Sequence, residues 1–171
     1  MIIYTDSIGG IGPTDLRGFF VGWPNPPSPD THLRVLAGSD HLVLARDDAS
    51  GRVVGYVTAI TDGVLAAYIP HLEVLPEYQG QGIGTALMRR MLATLETLYM
   101  IDLLCDEDIQ PFYARLGMRP ATGMMVRNYA RQSGASKRPW PQSTRQEDGE
   151  VSYGYPTKES CERGTNDGAS N

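Results

Sequence analysis

The chain has 171 residues, with 20 acidic and 15 basic side chains and a formal net charge of −5. That length bounds it to one domain, or one domain with a tail, and is enough to bury a sizeable core. The acidic balance argues against a nucleic-acid partner and is compatible with cationic substrates such as amines. No apolar stretch reaches the roughly 18 residues that a membrane helix needs, so no membrane partner is expected. Cys105 and Cys161 give neither a disulfide framework nor a zinc spacing, so no metal is expected.

The start, "MIIYTDSIGG", lacks a basic region followed by a long apolar run. It is read as no signal peptide, and a reducing, cytoplasmic location is the expectation. Residues 1–4 form an apolar run expected as an edge strand. "GPTDLRGFF" (12–20) has helical spacing and predicts a first helix. "GWPNPPSPD" (22–30) is a stiff loop, because each proline fixes its own φ and lacks a donor. Ser28 and Pro29 have the chemistry of an N-cap and first helical position for "DTHLRVLAG", which Gly38 ends.

Residues 41–46 and 53–60 are strand-like and flank "DDASG", which predicts a hairpin. Residues 64–75 are a third strand of the series, with Pro70 marking a bulge or bend. Residues 85–99 carry apolar side chains at 87, 88, 91, 92, 95 and 98, the pattern of a helix with one buried face. A strand over 100–105, a short helix over 109–117 and a closing strand over 124–129 follow. From Gln132 to Asn171 apolar residues are sparse, and the segment is expected to be a disordered polar tail. The bland expectation for it is no function; a docking segment built on Trp140, Tyr153 and Tyr155 is the sharper one. The mixed order of hairpin strands, β-α-β and α-β fits a three-layer α/β arrangement over residues 1–131.

Between the 64–75 strand and the long helix stands "EYQGQGIG" (77–84). A strand, a glycine-rich turn and a helix make an anion site, because the first helical N–H groups have no internal partner and the dipole is positive there. Glycines at 80, 82 and 84 let backbone approach a phosphate closely. A Walker loop needs a lysine after the glycines, and Gly84 is followed by Thr85 and Ala86. A dinucleotide fingerprint needs G-x-G-x-x-G after the first strand, and this spacing is G-x-G-x-G further along the chain.

Gln79-Gly80-Gln81-Gly82-Ile83-Gly84 satisfies Q/R-x-x-G-x-G/A, which resembles the acetyl-CoA signature of the GCN5-related N-acetyltransferases (GNAT). "PFYARLGM" (111–118) resembles a second segment of that superfamily, and "CDEDIQPFYARLGMRPA" is similar to arylalkylamine (serotonin) N-acetyltransferases. The resemblance covers residues 1–131. It implies a mixed, mostly antiparallel sheet whose fourth and fifth strands splay apart. It implies an enzyme that moves acetyl from acetyl-CoA directly to a primary amine, with a small aralkyl or alkyl amine as the acceptor. A lysine or N-terminal amine of a protein is an alternative, as is an acyl-CoA-binding module with little turnover. A homodimer is one arrangement it allows.

By the same resemblance, backbone groups of Leu72, Glu73 and Val74 would hold the pantetheine arm, with Val74 N–H an oxyanion donor. Gln79, Gly80, Gln81, Gly82, Ile83, Gly84 and Thr85 would cradle the pyrophosphate. Tyr113 would stand near the sulfur and protonate the leaving thiolate. For the proton taken from the amine, Glu73 and His71 both lie on the right strand, and solvent or the substrate itself stays open. The serotonin-type enzymes carry two histidines on this strand; the matching places here are Tyr68 and Pro70, so that relay is not carried over. Phe20, Trp23 and Tyr68 are candidates for the acceptor wall, together with Phe19 and the prolines at 24, 26 and 27. Cys105 is expected as a buried small hydrophobe.

Overall fold

The fold is given by a computed structural model, which describes residues 1–134. The expected tail beyond them, with Trp140, Tyr153, Tyr155 and Cys161, lies outside the described residues. Five strands form one sheet in the order β1-β2-β3-β4-β5: β1 (Ile2–Thr5), β2 (His41–Asp47), β3 (Val53–Thr61), β4 (Ala66–Val74) and β5 (Met100–Asp102). The first four pair antiparallel, and β4 pairs with β5 in parallel. Helix α1 (Pro29–Ala37) covers one face, α2 (Ile83–Thr94) the other, and α3 (Gln110–Ala114) follows β5. This is the three-layer α/β arrangement with a mixed, mostly antiparallel sheet.

Local chemistry explains the elements. Ser28 Oγ accepts from Thr31 N–H at 3.2 Å and caps α1 with Pro29 in its first turn. The β2–β3 hairpin closes through Asp47 N–H to Arg52 C=O at 3.0 Å, with Gly51 at φ +71°. Val43, Ala45, Val57, Ala59, Ala67 and Ile69 meet Leu87, Met88, Met91 and Leu95 of the α2 side in one buried cluster. Leu16, Phe19, Phe20, Leu36, Leu44, Tyr56 and Leu75 form a second on the opposite face. Each such leucine-sized side chain contributes roughly 1.5–3 kcal/mol when withdrawn from water.

Pro70 does mark a bulge. Thr58 pairs with His71 and Ile60 with Tyr68, so two steps on β3 face three on β4. The extra residue shifts the alternation by one. Ala67 and Ile69 pack toward α2, and after the bulge it is Leu72 and Val74 that do so. His71 and Glu73 are thereby turned to the opposite face. Without the bulge, continued alternation from Ala67 would send His71 toward α2.

Several expectations need correction. Residues 12–20 do not make a helix. One 3₁₀ turn (Pro13–Leu16) forms, and then Gly18 at φ +91° and Phe20 at φ +61° break the run. Residues 124–129 do not close the sheet, which ends at β5 among the described residues. Met124, Met125 and Val126 are exposed and consecutive, with no two-residue alternation to hide one face. The strand expected over 64–75 starts at Ala66, because the Asp62 carboxylate gathers the N–H groups of Val64, Leu65 and Ala66 into a turn. β5 is three residues long, not six. Gln132 accepts a hydrogen bond from Asn25 N–H at 2.9 Å through its side-chain oxygen.

Candidate active site

β4 and β5 pair only over Ala66–Tyr68 and Met100–Asp102. Beyond Tyr68 the β5 side of β4 is open, which is the splay expected from the sequence. Leu75 N–H donates to Val54 C=O at 2.9 Å, so Leu75 and, two residues back, Glu73 turn their backbone groups toward β3. Leu72 and Val74 therefore turn theirs toward the opening, and Val74 C=O accepts from Gln79 Nε2 at 2.9 Å. Val74 N–H is thus free to meet a carbonyl oxygen in the cleft. Glu73 backbone is not, because the β3 ladder takes it; of the three backbone candidates, only Leu72 and Val74 face the opening.

The opening is a cavity of about 470 Å³ bounded by Leu72, Val74, the glycine loop, Phe112 and Tyr113. The loop turns because Gly80 and Gly82 adopt φ +73° and +80°, conformations that side chains with a Cβ resist. Gly82 is the N-cap of α2. Ala86 N–H is the first to find a helical partner, Gly82 C=O at 3.0 Å, so the N–H groups of Ile83, Gly84 and Thr85 precede the helical ladder. The first turn carries no acidic residue to compete for them. Gln81 Nε2 donates to Glu77 C=O at 3.3 Å and stiffens the turn. Such a run of N–H groups at a positive helix end suits a pyrophosphate, and a Cβ on Gly84 would stand 3.8 Å from Val74 and Phe112. The residues present fit a coenzyme A arm.

α3 places Tyr113 at the far wall of this cleft, its ring edge-on to Phe112 at 4.9 Å. Burial, with a smaller push from Cys105, raises its hydroxyl to about 12. It stays protonated through the physiological range and can donate. Cys105 is half-buried rather than buried, and its thiol is pushed up by burial and by Asp106 and Asp108, so its surroundings do not activate it. A larger cavity of about 780 Å³ lies beside β5, lined in part by Tyr68, Tyr99, Asp102, Cys105, Met118 and Met124. Tyr113 borders both. The larger space lacks the glycine loop and the open β4 backbone, and the smaller one has both.

On the other face of β4, His71 Nδ1 lies 3.2 Å from Thr58 Oγ1. Burial pulls the His71 ring below the ordinary histidine value, so it is neutral at pH 7. Phe20 stands edge-on to it at 6.1 Å and to Trp23 at 5.1 Å. The structure thus brings Phe20, Trp23, His71 and Glu73 together. Tyr68, before the bulge, goes instead to the larger cavity. The Glu73 carboxylate accepts from Phe20 N–H at 2.9 Å and Val21 N–H at 3.0 Å.

Three members of this group were not expected from the sequence. His32 is fully buried, with the ring centroids of Phe19, Phe20 and Tyr56 within 5.2 Å. Burial lowers it to about 4; the Leu16 backbone opposes that fall and His71 adds to it. Tyr56 is raised by burial and by Glu73 opposite it. Thr58 is buried beside His71. The hairpin register and the four-residue spacing of His32 and Leu36 in α1 were the available signals.

Residues 13–118 match the family model described as "Acetyltransferase (GNAT) family". A crystal structure of a putative acetyltransferase from Deinococcus radiodurans is 48% identical with a TM-score of 0.75, covering 77% of this chain and 92% of that one. Serotonin N-acetyltransferase 2, chloroplastic, of Oryza sativa subsp. japonica is 33% identical over 57% of this chain and 50% of its own. Histone acetyltransferase TAP1 of Glycine max is 31% identical over 57% of this chain and 46% of its own. The chain spans about half the length of the curated relatives it matches. With the family model spanning more than half of the sequence, and an open β4 edge feeding a glycine-capped helix, the chain belongs to the GCN5-related N-acetyltransferase family.

Proposed function

We propose that this chain is an acetyl-CoA-dependent N-acetyltransferase whose acceptor is a small primary amine with an aralkyl or alkyl body. One observation carries the reading. The two faces of β4 around the Pro70 bulge bear the two halves of the chemistry, open backbone and Tyr113 on one side, His71 with an aromatic wall on the other.

The roles follow from position. The N–H groups at the start of α2 hold the pyrophosphate. Val74 N–H meets the thioester carbonyl oxygen, where negative charge develops as the amine nitrogen adds to the carbon. His71 takes the proton that the amine sheds. The C–S bond breaks, and Tyr113 gives its proton to the departing thiolate. Phe20 and Trp23 supply apolar surface for the body of the amine; Trp23 is the more exposed of the two, at 41%. Tyr68 takes no part in that wall.

The test is CoA thiol release with aralkylamines, alkylamines, polyamines, aminosugars, amino acids and a lysine peptide. Aralkylamine or alkylamine turnover is expected, with Trp23→Ala raising the acceptor KM about tenfold or more and leaving the acetyl-CoA KM unchanged. Turnover confined to the lysine peptide would move the assignment to a protein acceptor. Acetyl-CoA binding with no release to any amine would leave a binding module.

A further inference from the structure

Phe20 is the one non-glycine residue with positive φ among the described residues. A left-handed conformation costs a bulky side chain about 1–2 kcal/mol. It persists here because the N–H groups of Phe20 and Val21 converge on a single carboxylate, that of Glu73, reached across more than fifty residues of chain. Consecutive N–H groups in such a turn form a concave anion seat. Each oxygen takes one of them, Oε2 from Phe20 and Oε1 from Val21. The neighbours Gly18 and Gly22 also have positive φ, so the segment has little rigidity of its own.

The consequence reaches the acceptor wall. Trp23 N–H donates to Phe20 C=O at 3.2 Å, and the Phe20 ring is set against His32, His71 and Trp23. Releasing the two N–H groups frees Phe20 to leave the left-handed region, and its ring and Trp23 turn with it.

We propose that Glu73 is a positioning residue: its carboxylate latches residues 20–21 and thereby sets the acceptor wall, while the amine proton goes to His71. This rests on the acceptor face being where the amine binds. Glu73→Gln is the discriminating change. Its side chain offers one acceptor oxygen, and its NH₂ faces the second N–H, donor against donor. Glu73→Asp keeps the charge but withdraws it by one methylene, and serves the same purpose should the Gln variant fold poorly.

The first readout is amide hydrogen exchange at Phe20 and Val21 in the free protein, which needs no acceptor. It therefore remains decisive even if the amine assignment fails. Exchange about tenfold faster or more at these two amides is expected in both variants. In steady-state turnover the acceptor KM is expected to rise, with the acid limb of kcat/KM and the acetyl-CoA affinity retained. Unchanged exchange overturns the latch. Faster exchange with an unmoved acceptor KM overturns its positioning role. Loss of the acid limb in Glu73→Gln, kept in Glu73→Asp, would make Glu73 the proton acceptor and overturn the proposal.

Discussion

Gly84→Ala separates what the glycine does for folding from what it does for the ligand. Gly84 sits inside α2 and has no positive φ. A Cβ there would meet Val74 and Phe112 at 3.8 Å, an ordinary contact, with nothing closer. Alanine is favoured over glycine within a helix by about 0.5–1 kcal/mol, and no overpacking offsets it. For a domain of this size that raises Tm by roughly 2–4 °C. The same methyl projects into the cleft between Val74 and Phe112, where the coenzyme arm must pass backbone closely. The expected result is a more heat-stable protein that binds acetyl-CoA about tenfold or more weakly, a loss of about 1.4 kcal/mol. Thermal unfolding with and without acetyl-CoA reads both: the unliganded Tm rises and the ligand-induced increment shrinks. A lower unliganded Tm would refute the packing reasoning. A higher Tm with an undiminished increment would refute the placement of the ligand.

His71, neutral at pH 7 because burial lowers its value, is charged only as pH falls below the ordinary 6.5. The acid limb of kcat/KM is expected below that value, and His71→Gln should abolish the limb and cost about 10²-fold or more in kcat. His32 governs stability by the same logic. Its folded value, about 4, lies below the unfolded 6.5, so its contribution is full above pH 6.5 and is lost as pH falls toward 4. The loss amounts to about 3 kcal/mol, and His32→Leu should flatten urea-unfolding free energy across that window.

What the sequence disclosed was local. The cap at Ser28, the glycine turn at 80–84 and the helix face at 87–95 each depend on residues a few positions apart. The bulge at Pro70 was legible for the same reason, since proline cannot donate to a ladder. Its consequence was not, because which face His71 and Glu73 take depends on the register with β3. The Glu73 carboxylate meets partners at 20 and 21, and nothing near either segment announces the other. His32 stands in the sequence only as part of a helix, since its aromatic neighbours come from a loop and a strand. Residues 124–129 have the apolar content of a strand but not the alternation that would bury one face of it.

Acetyl transfer in the β4 cleft is tested most directly at Tyr113. Acetyl-CoA affinity by titration and CoA release with the best amine would be measured for the wild type and Tyr113→Phe. Loss of about 10²-fold or more in kcat, with affinity kept within about twofold, is the expected result. Undiminished turnover in the Phe variant, or binding lost in step with rate, would contradict a proton donor at the sulfur and with it the placement of the reaction between β4 and α3.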